Sequence, residues 1–140
     1  MELSKTRWSF YYNESIGPQE MNFTDDEDVI AYFTEGQCPA LAYELYTLKG
    51  WTIAMVSDQP AGSDDYVAHV FVIDSDGMAV DIKGRRSIEQ VKEEWYFAHH
   101  LHRFFSIQEF KVEMREWDCS PRFDRDPEAK LWARKIVELL

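Results

Sequence analysis

Cys38, His69 and Asp81 occur in the order of a nucleophile, a base and a group that orients the base. Cys38 lies in Glu35-Gly36-Gln37-Cys38-Pro39, where a helical pattern opens. His69 lies in Val67-Ala68-His69-Val70-Phe71-Val72 and Asp81 in Met78-Ala79-Val80-Asp81-Ile82, two segments that read as strands. A cysteine attacks as its thiolate, and an ordinary free thiol, with a pKa of about 8.5, is mostly protonated at neutrality. The unpaired N–H groups of a helix start and a neighbouring histidine cation both favour the thiolate. The same N–H groups can donate to the oxyanion formed when a carbonyl is attacked. The chemistry expected is attack on an amide or ester carbonyl by Cys38, with His69 as base then acid and Asp81 as orienter, and with no metal or organic cofactor.

Those roles require particular elements. Pro39 suits the first helical position, which places Cys38 at the N-cap, and Leu41, Leu45 and Leu48 recur on one face before Gly50 ends the run. Strands are expected over Trp51–Val56, Val67–Ile73 and Met78–Ile82. The last two are joined by Asp74-Ser75-Asp76-Gly77. A three-residue loop with Gly77 in the left-handed conformation pairs Asp74 with Met78 and sets Phe71 opposite Asp81. His69 and Asp81 then become diagonal neighbours on one face, whereas a two-residue loop would separate them.

Around this centre, Thr24-Asp25-Asp26-Glu27 predicts a capped helix start, with Val29, Ile30 and Phe33 as its buried stripe and Gly36 as its stop. Ser87-Ile88-Glu89-Gln90 predicts a second capping box, ahead of an apolar face of Ile88, Val91 and Trp95. Phe110–Arg115 alternates and is expected to be a strand. Asp126-Pro127-Glu128 opens a last helix that buries Trp132, Ile136 and Leu139 or Leu140. The short aromatic stretch Trp8–Tyr12 suits an edge strand or a packed arm. This order of elements predicts an α+β fold in one domain, residues 1–140.

Composition narrows the function. A hydrophobic fraction of 45% and an aromatic fraction of 15% suit a folded chain, and 26 acidic against 15 basic residues give a net charge of −11. Such a charge disfavours nucleic acid and anionic lipid as partners and favours either plain solubility or a basic partner. No apolar run reaches membrane-spanning length and Met1-Glu2-Leu3-Ser4-Lys5 does not open like a secretion signal, so a cytoplasmic location is expected. Cys38 and Cys119 then read as free thiols, with Cys119 incidental. His99-His100-Leu101-His102 lacks a second ligand cluster at zinc spacing and reads as a solvated helix end. Arg85-Arg86 is too short for a nucleic-acid patch, and Asp64-Asp65 could attract a basic substrate.

Each triad residue also has a purely structural reading. Free cysteine is among the most buried residue types, a histidine in an apolar strand is commonly a satisfied core residue, and Asp81 could cap a strand or meet Arg85 or Arg86. The combination favours chemistry, because three elements must align for it.

Gly36-Gln37-Cys38-Pro39-Ala40-Leu41-Ala42, with His69-Val70-Phe71-Val72 and Val80-Asp81-Ile82-Lys83-Gly84, resembles the catalytic core of papain-like and transglutaminase-like cysteine enzymes. The resemblance covers about a third of the chain, roughly residues 35–85. It implies a central helix that carries the cysteine and packs on a small antiparallel sheet supplying the histidine and aspartate. It also implies catalytic roles for Cys38, His69 and Asp81. Papain-type proteases place an oxyanion-hole glutamine several residues before the nucleophile, whereas Gln37 adjoins Cys38; Gln37 and Trp51 are the weak candidates for a second oxyanion donor or substrate contact. Two functions follow as expectations. One is a thioester-forming protease, deamidase or acyl or amine transferase acting on a protein or peptide. The other is a non-catalytic acidic protein that blocks a basic partner such as a nucleic-acid-binding surface.

Overall fold

A computed structural model describes residues 11–13, 17–19, 23–60, 68–95, 98–115 and 122–140. The architecture is α+β. A five-stranded antiparallel sheet has the order β6-β5-β4-β3-β7, formed by β3 (Thr52–Ser57), β4 (Ala68–Ile73), β5 (Ala79–Asp81), β6 (Gly84–Arg86) and β7 (His100–Arg103). Among the described residues five α-helices accompany it: α1 (Glu27–Thr34), α2 (Cys38–Lys49), α3 (Ile88–Glu94), α4 (Ile107–Met114) and α5 (Pro127–Leu139). A separate two-stranded ribbon pairs β1 (Tyr11–Asn13) with β2 (Gly17–Gln19). The rest of the Trp8–Tyr12 stretch, Asp64, Asp65, Val67 and Cys119 lie outside the described residues. Among the described residues no helix is long and apolar enough to cross a membrane.

The sheet separates two cores. On one side Ile53, Met55, Val70, Val72, Val80 and Ile82 share a core with α2, which packs in turn on α5. On the other, Ala54, Val56, Phe71 and Ala79 meet Val91 of α3 and Ala98. This is the strand alternation expected of a sheet covered on both faces. The first half of α2 is apolar on nearly every side and is buried from Cys38 to Ala42, so this helix enters the core by its N-terminus. Leu41 and Leu45 are buried, while Leu48 emerges into solvent; Gly50 closes the helix at φ 70°.

The β4–β5 hairpin forms the expected loop. Val72 faces Val80 and Ile73 faces Ala79, Gly77 takes φ 81°, and Asp74 N–H donates to the Met78 carbonyl at 2.8 Å. Asp74 Oδ1 accepts from the N–H groups of Asp76 and Met78, and Arg85 clamps Asp74 and Asp76 from β6. The Ser87 capping box is present, with both reciprocal bonds to Gln90. Asp126 caps α5, which buries Trp132 and Ile136 while Leu140 stays half exposed.

Four expectations are corrected. The first helix is capped by Asp26, not Thr24: Asp26 Oδ1 takes the N–H groups of Asp28 and Val29, and Thr24 Oγ1 accepts from Asp26 N–H instead. Gln37, not Cys38, is the N-cap of α2, so Cys38 is the first helical residue and Pro39 the second. Proline is tolerated there because that N–H also lacks an intrahelical partner. Phe110–Arg115 is not a strand. Ser106 caps α4 through the Glu109 N–H, Phe110 and Met114 lie four apart on its buried side, and Val112 points outward at 57% exposure. His100–Arg103 is an edge strand rather than a helix end, held by pairing with β3.

The α4 geometry predicts unequal mutational costs. Phe110→Ala should cost about 3–5 kcal/mol and Val112→Ser less than about 0.5 kcal/mol, read as shifts in urea denaturation. Comparable losses at the two sites would contradict the helix.

Candidate active site

Cys38 reaches the site from the start of α2, and its Sγ accepts a hydrogen bond from Val70 N–H at 3.4 Å. The last β4–β5 pair toward this end is Val72 with Val80, so Val70 lies where β5 has left β4. His69 stands on the α3 side of the sheet, like Phe71, whose ring it stacks with. The thiol and the imidazole thus come from opposite faces and approach through the opening between β4 and β5.

The hairpin register brings His69 and Asp81 together as diagonal neighbours. His69 Nε2 and Asp81 Oδ2 are 2.7 Å apart. Asp81 Oδ2 also accepts from Arg86 Nη2 at 2.8 Å, and Oδ1 accepts from the Lys83 N–H at 2.9 Å. Arg86 continues to Glu94 Oε2 at 2.8 Å, where Lys83 Nζ also binds. Trp95, just after α3, stacks flat on the imidazole with centroids 5.0 Å apart and planes 6° from parallel. Cys38 is 4% exposed, His69 0% and Asp81 4%, and the crevice beside Cys38, Phe33 and Leu41 has no room for a water molecule.

Burial is the largest influence on both charged partners, and in both it is overcome. For His69 burial opposes the imidazolium, but the hydrogen bond to Asp81, the nearby Cys38 sulfur and the carboxylate charge push its pKa up to about 9. For Asp81 burial favours the neutral acid, yet the Arg86 charge and then the His69 hydrogen bond hold the carboxyl well below the usual carboxylate range. Nδ1, buried, makes no hydrogen bond among the described residues. One ring nitrogen is therefore committed to Asp81, and the other has no hydrogen-bond partner among the described residues.

Of the weaker candidates, Gln37 adjoins the site as the cap of α2 and is half buried; its side chain makes no capping bond. Trp51 does not belong to the site. It follows Gly50 at the far end of α2, about 18 Å from Cys38 at 1.5 Å per residue over this helix, and packs under Lys49. Among the described residues no group of three His, Cys, Asp or Glu could hold a metal ion, and His102 bonds Glu109. From sequence alone Arg86 is only one optional partner for Asp81, and Trp95 reads as part of the apolar face of α3. The signal for Arg86 was present: a two-residue turn pairs Asp81 with Gly84, which sets Arg86 opposite Ala79 and diagonal to Asp81.

These shifts predict how stability depends on pH. His69, raised from 6.5 to about 9, contributes stability fully below pH 6.5 and loses it as pH climbs through 9. Asp81, depressed, contributes above its unfolded value near 4 and loses it in more acid solution. The urea midpoint of the wild type should fall between pH 6.5 and 9, and His69→Gln should abolish that fall. A wild-type midpoint that is flat across this window would contradict the ion pair.

No protein-family model, no characterised protein and no solved structure matches this chain.

Proposed function

We propose that this protein is a cysteine hydrolase or acyltransferase with a papain-like or transglutaminase-like core, acting on an amide or ester carbonyl of a protein or peptide. The observation that carries this reading is the state of His69. Its Nε2 is fixed on Asp81 at 2.7 Å, while Nδ1 is buried without a hydrogen bond and the Cys38 sulfur lies near enough to favour the imidazolium.

In this mechanism the thiol proton passes to His69, and the sulfur adds to the carbonyl carbon. The tetrahedral oxyanion is met by the backbone N–H of Cys38, because Pro39 has no N–H and those of Ala40 and Leu41 donate to the Gln37 carbonyl. His69 then gives its proton to the departing amine or alcohol, leaving a thioester on Cys38. Water, or an incoming amine or alcohol, is deprotonated by His69 and attacks the thioester, which restores the thiol. Asp81 stays ionised and keeps the ring oriented throughout. The net charge of −11 favours a basic protein or peptide as substrate.

The near-complete burial of all three residues favours a second reading, in which they brace the core of a non-catalytic acidic protein that binds a basic partner. Alkylation separates the two. Under the catalytic reading, iodoacetamide labels Cys38 in the native protein at pH 6.5, and His69→Ala slows labelling at least about tenfold, within the range ascribed to a positioned base. Peptide mapping distinguishes Cys38 from Cys119. Labelling of Cys38 that needs denaturant, or that ignores His69→Ala, would overturn catalysis. Binding to a basic protein that survives Cys38→Ala and weakens steeply with salt would then favour the second reading.

A further inference from the structure

The carboxylate that orients His69 is shared. Asp81 Oδ2, the oxygen facing His69 Nε2 at 2.7 Å, is also bound by Arg86 Nη2 at 2.8 Å. Arg86 is 7% exposed, and its other terminal nitrogen is fixed on Glu94. It comes from β6 and sits diagonal to Asp81, a placement set by the turn between Asp81 and Gly84. We infer that Arg86 is a positioning residue of the triad: acting through Asp81, it limits how tightly the His69–Asp81 pair holds its proton. The inference rests on the catalytic role proposed for the pair.

A lone buried carboxylate beside an imidazole binds the shared proton strongly. A base held too far above the working pH returns its proton poorly to a leaving group. A guanidinium on the same oxygen draws electron density from it and repels the imidazolium. Both effects lower the proton affinity of the pair, which titrates as one unit. Arginine suits this position because its planar fork can bind two carboxylates at once and it does not deprotonate. Among the described residues, the titratable and charged groups around the pair are Cys38 from α2, Arg86 from β6, Glu94 from α3, and Lys83 in the β5–β6 turn, which reaches Glu94. Trp95 covers the ring face, so solvent screens this interaction little.

The test follows the His69 ring by nitrogen-15 NMR across a pH titration in the full-length protein. Arg86→Gln should raise the midpoint by at least one pH unit, a tenfold gain in proton affinity. Arg86→Lys, which keeps the charge, should stay near the wild type. Glu94→Gln removes the anion that partly offsets Arg86 and should shift the midpoint down. A brace with no electrostatic role would not move the midpoint in opposite directions for Arg86→Gln and Glu94→Gln. If Arg86→Gln does not fold, the downward shift in Glu94→Gln decides the matter. An unmoved midpoint in the folded variants, or shifts of the same sign, would overturn the inference. If these shifts appear but His69→Ala leaves Cys38 alkylation unchanged, the catalytic reading fails while the coupling to Arg86 stands. If His69→Ala slows alkylation and Arg86→Gln moves nothing, only the role of Arg86 fails.

Discussion

An ionised carboxylate with 4% of its surface exposed is the constraint around which this end of the molecule is arranged. Burying a lone charge costs several kcal/mol or more, so Asp81 remains ionised only where donors surround it. Three elements supply them: β4 sends His69, β6 sends Arg86, and the intervening turn offers the Lys83 N–H. Through Arg86 the network reaches Glu94, which ties α3 to the sheet edge. Removing one partner from such a group typically costs about 3–5 kcal/mol, because the remaining charge is left uncompensated. The same donors therefore hold the fold together and set the state of the histidine.

The second constraint is the end of the β4–β5 ladder. While the strands are paired, residues on opposite faces of the sheet are kept apart by backbone. Once β5 departs, the Val70 N–H donates to Cys38 Sγ. The N-terminus of α2, apolar and buried, fits against this opening, which explains how a residue of the α2 core comes within electrostatic range of a histidine on the α3 side. A site built this way is dry. Low local polarity strengthens each of its charge interactions, and it also keeps the thiol away from solvent.

What could be read from the sequence was local chemistry with a geometric consequence. Gly77 after Asp74-Ser75-Asp76 fixed a loop length, the loop length fixed the register, and the register put His69 and Asp81 on one face. Ser87 with Gln90 and Asp126 with Pro127 announced helix starts for the same reason, since a side-chain oxygen must meet unpaired N–H groups. The failures came where pattern was ambiguous or tertiary. Phe110, Val112 and Met114 alternate, but a six-residue window also fits a helix, and the capping oxygen of Ser106 decided the outcome. His100–Arg103 is a strand because β3 had an edge to pair with, which no local signal reveals. Trp51 has a residue type suited to the site, but the length of α2 places it at the other end. Arg86 was visible as one of two adjacent arginines; only the strand pairing tells that Arg86 turns to Asp81 while Arg85 clamps the hairpin.

The central claim is that one imidazole lies between the Asp81 carboxylate and the Cys38 thiol. Nitrogen-15 spectra of the His69 ring at pH 7, compared between the wild type and Cys38→Ala, test it most directly. The account predicts that loss of the sulfur shifts the Nδ1 resonance while Nε2, bonded to Asp81, stays nearly in place. An Nδ1 resonance indifferent to Cys38, in a folded variant, would contradict it.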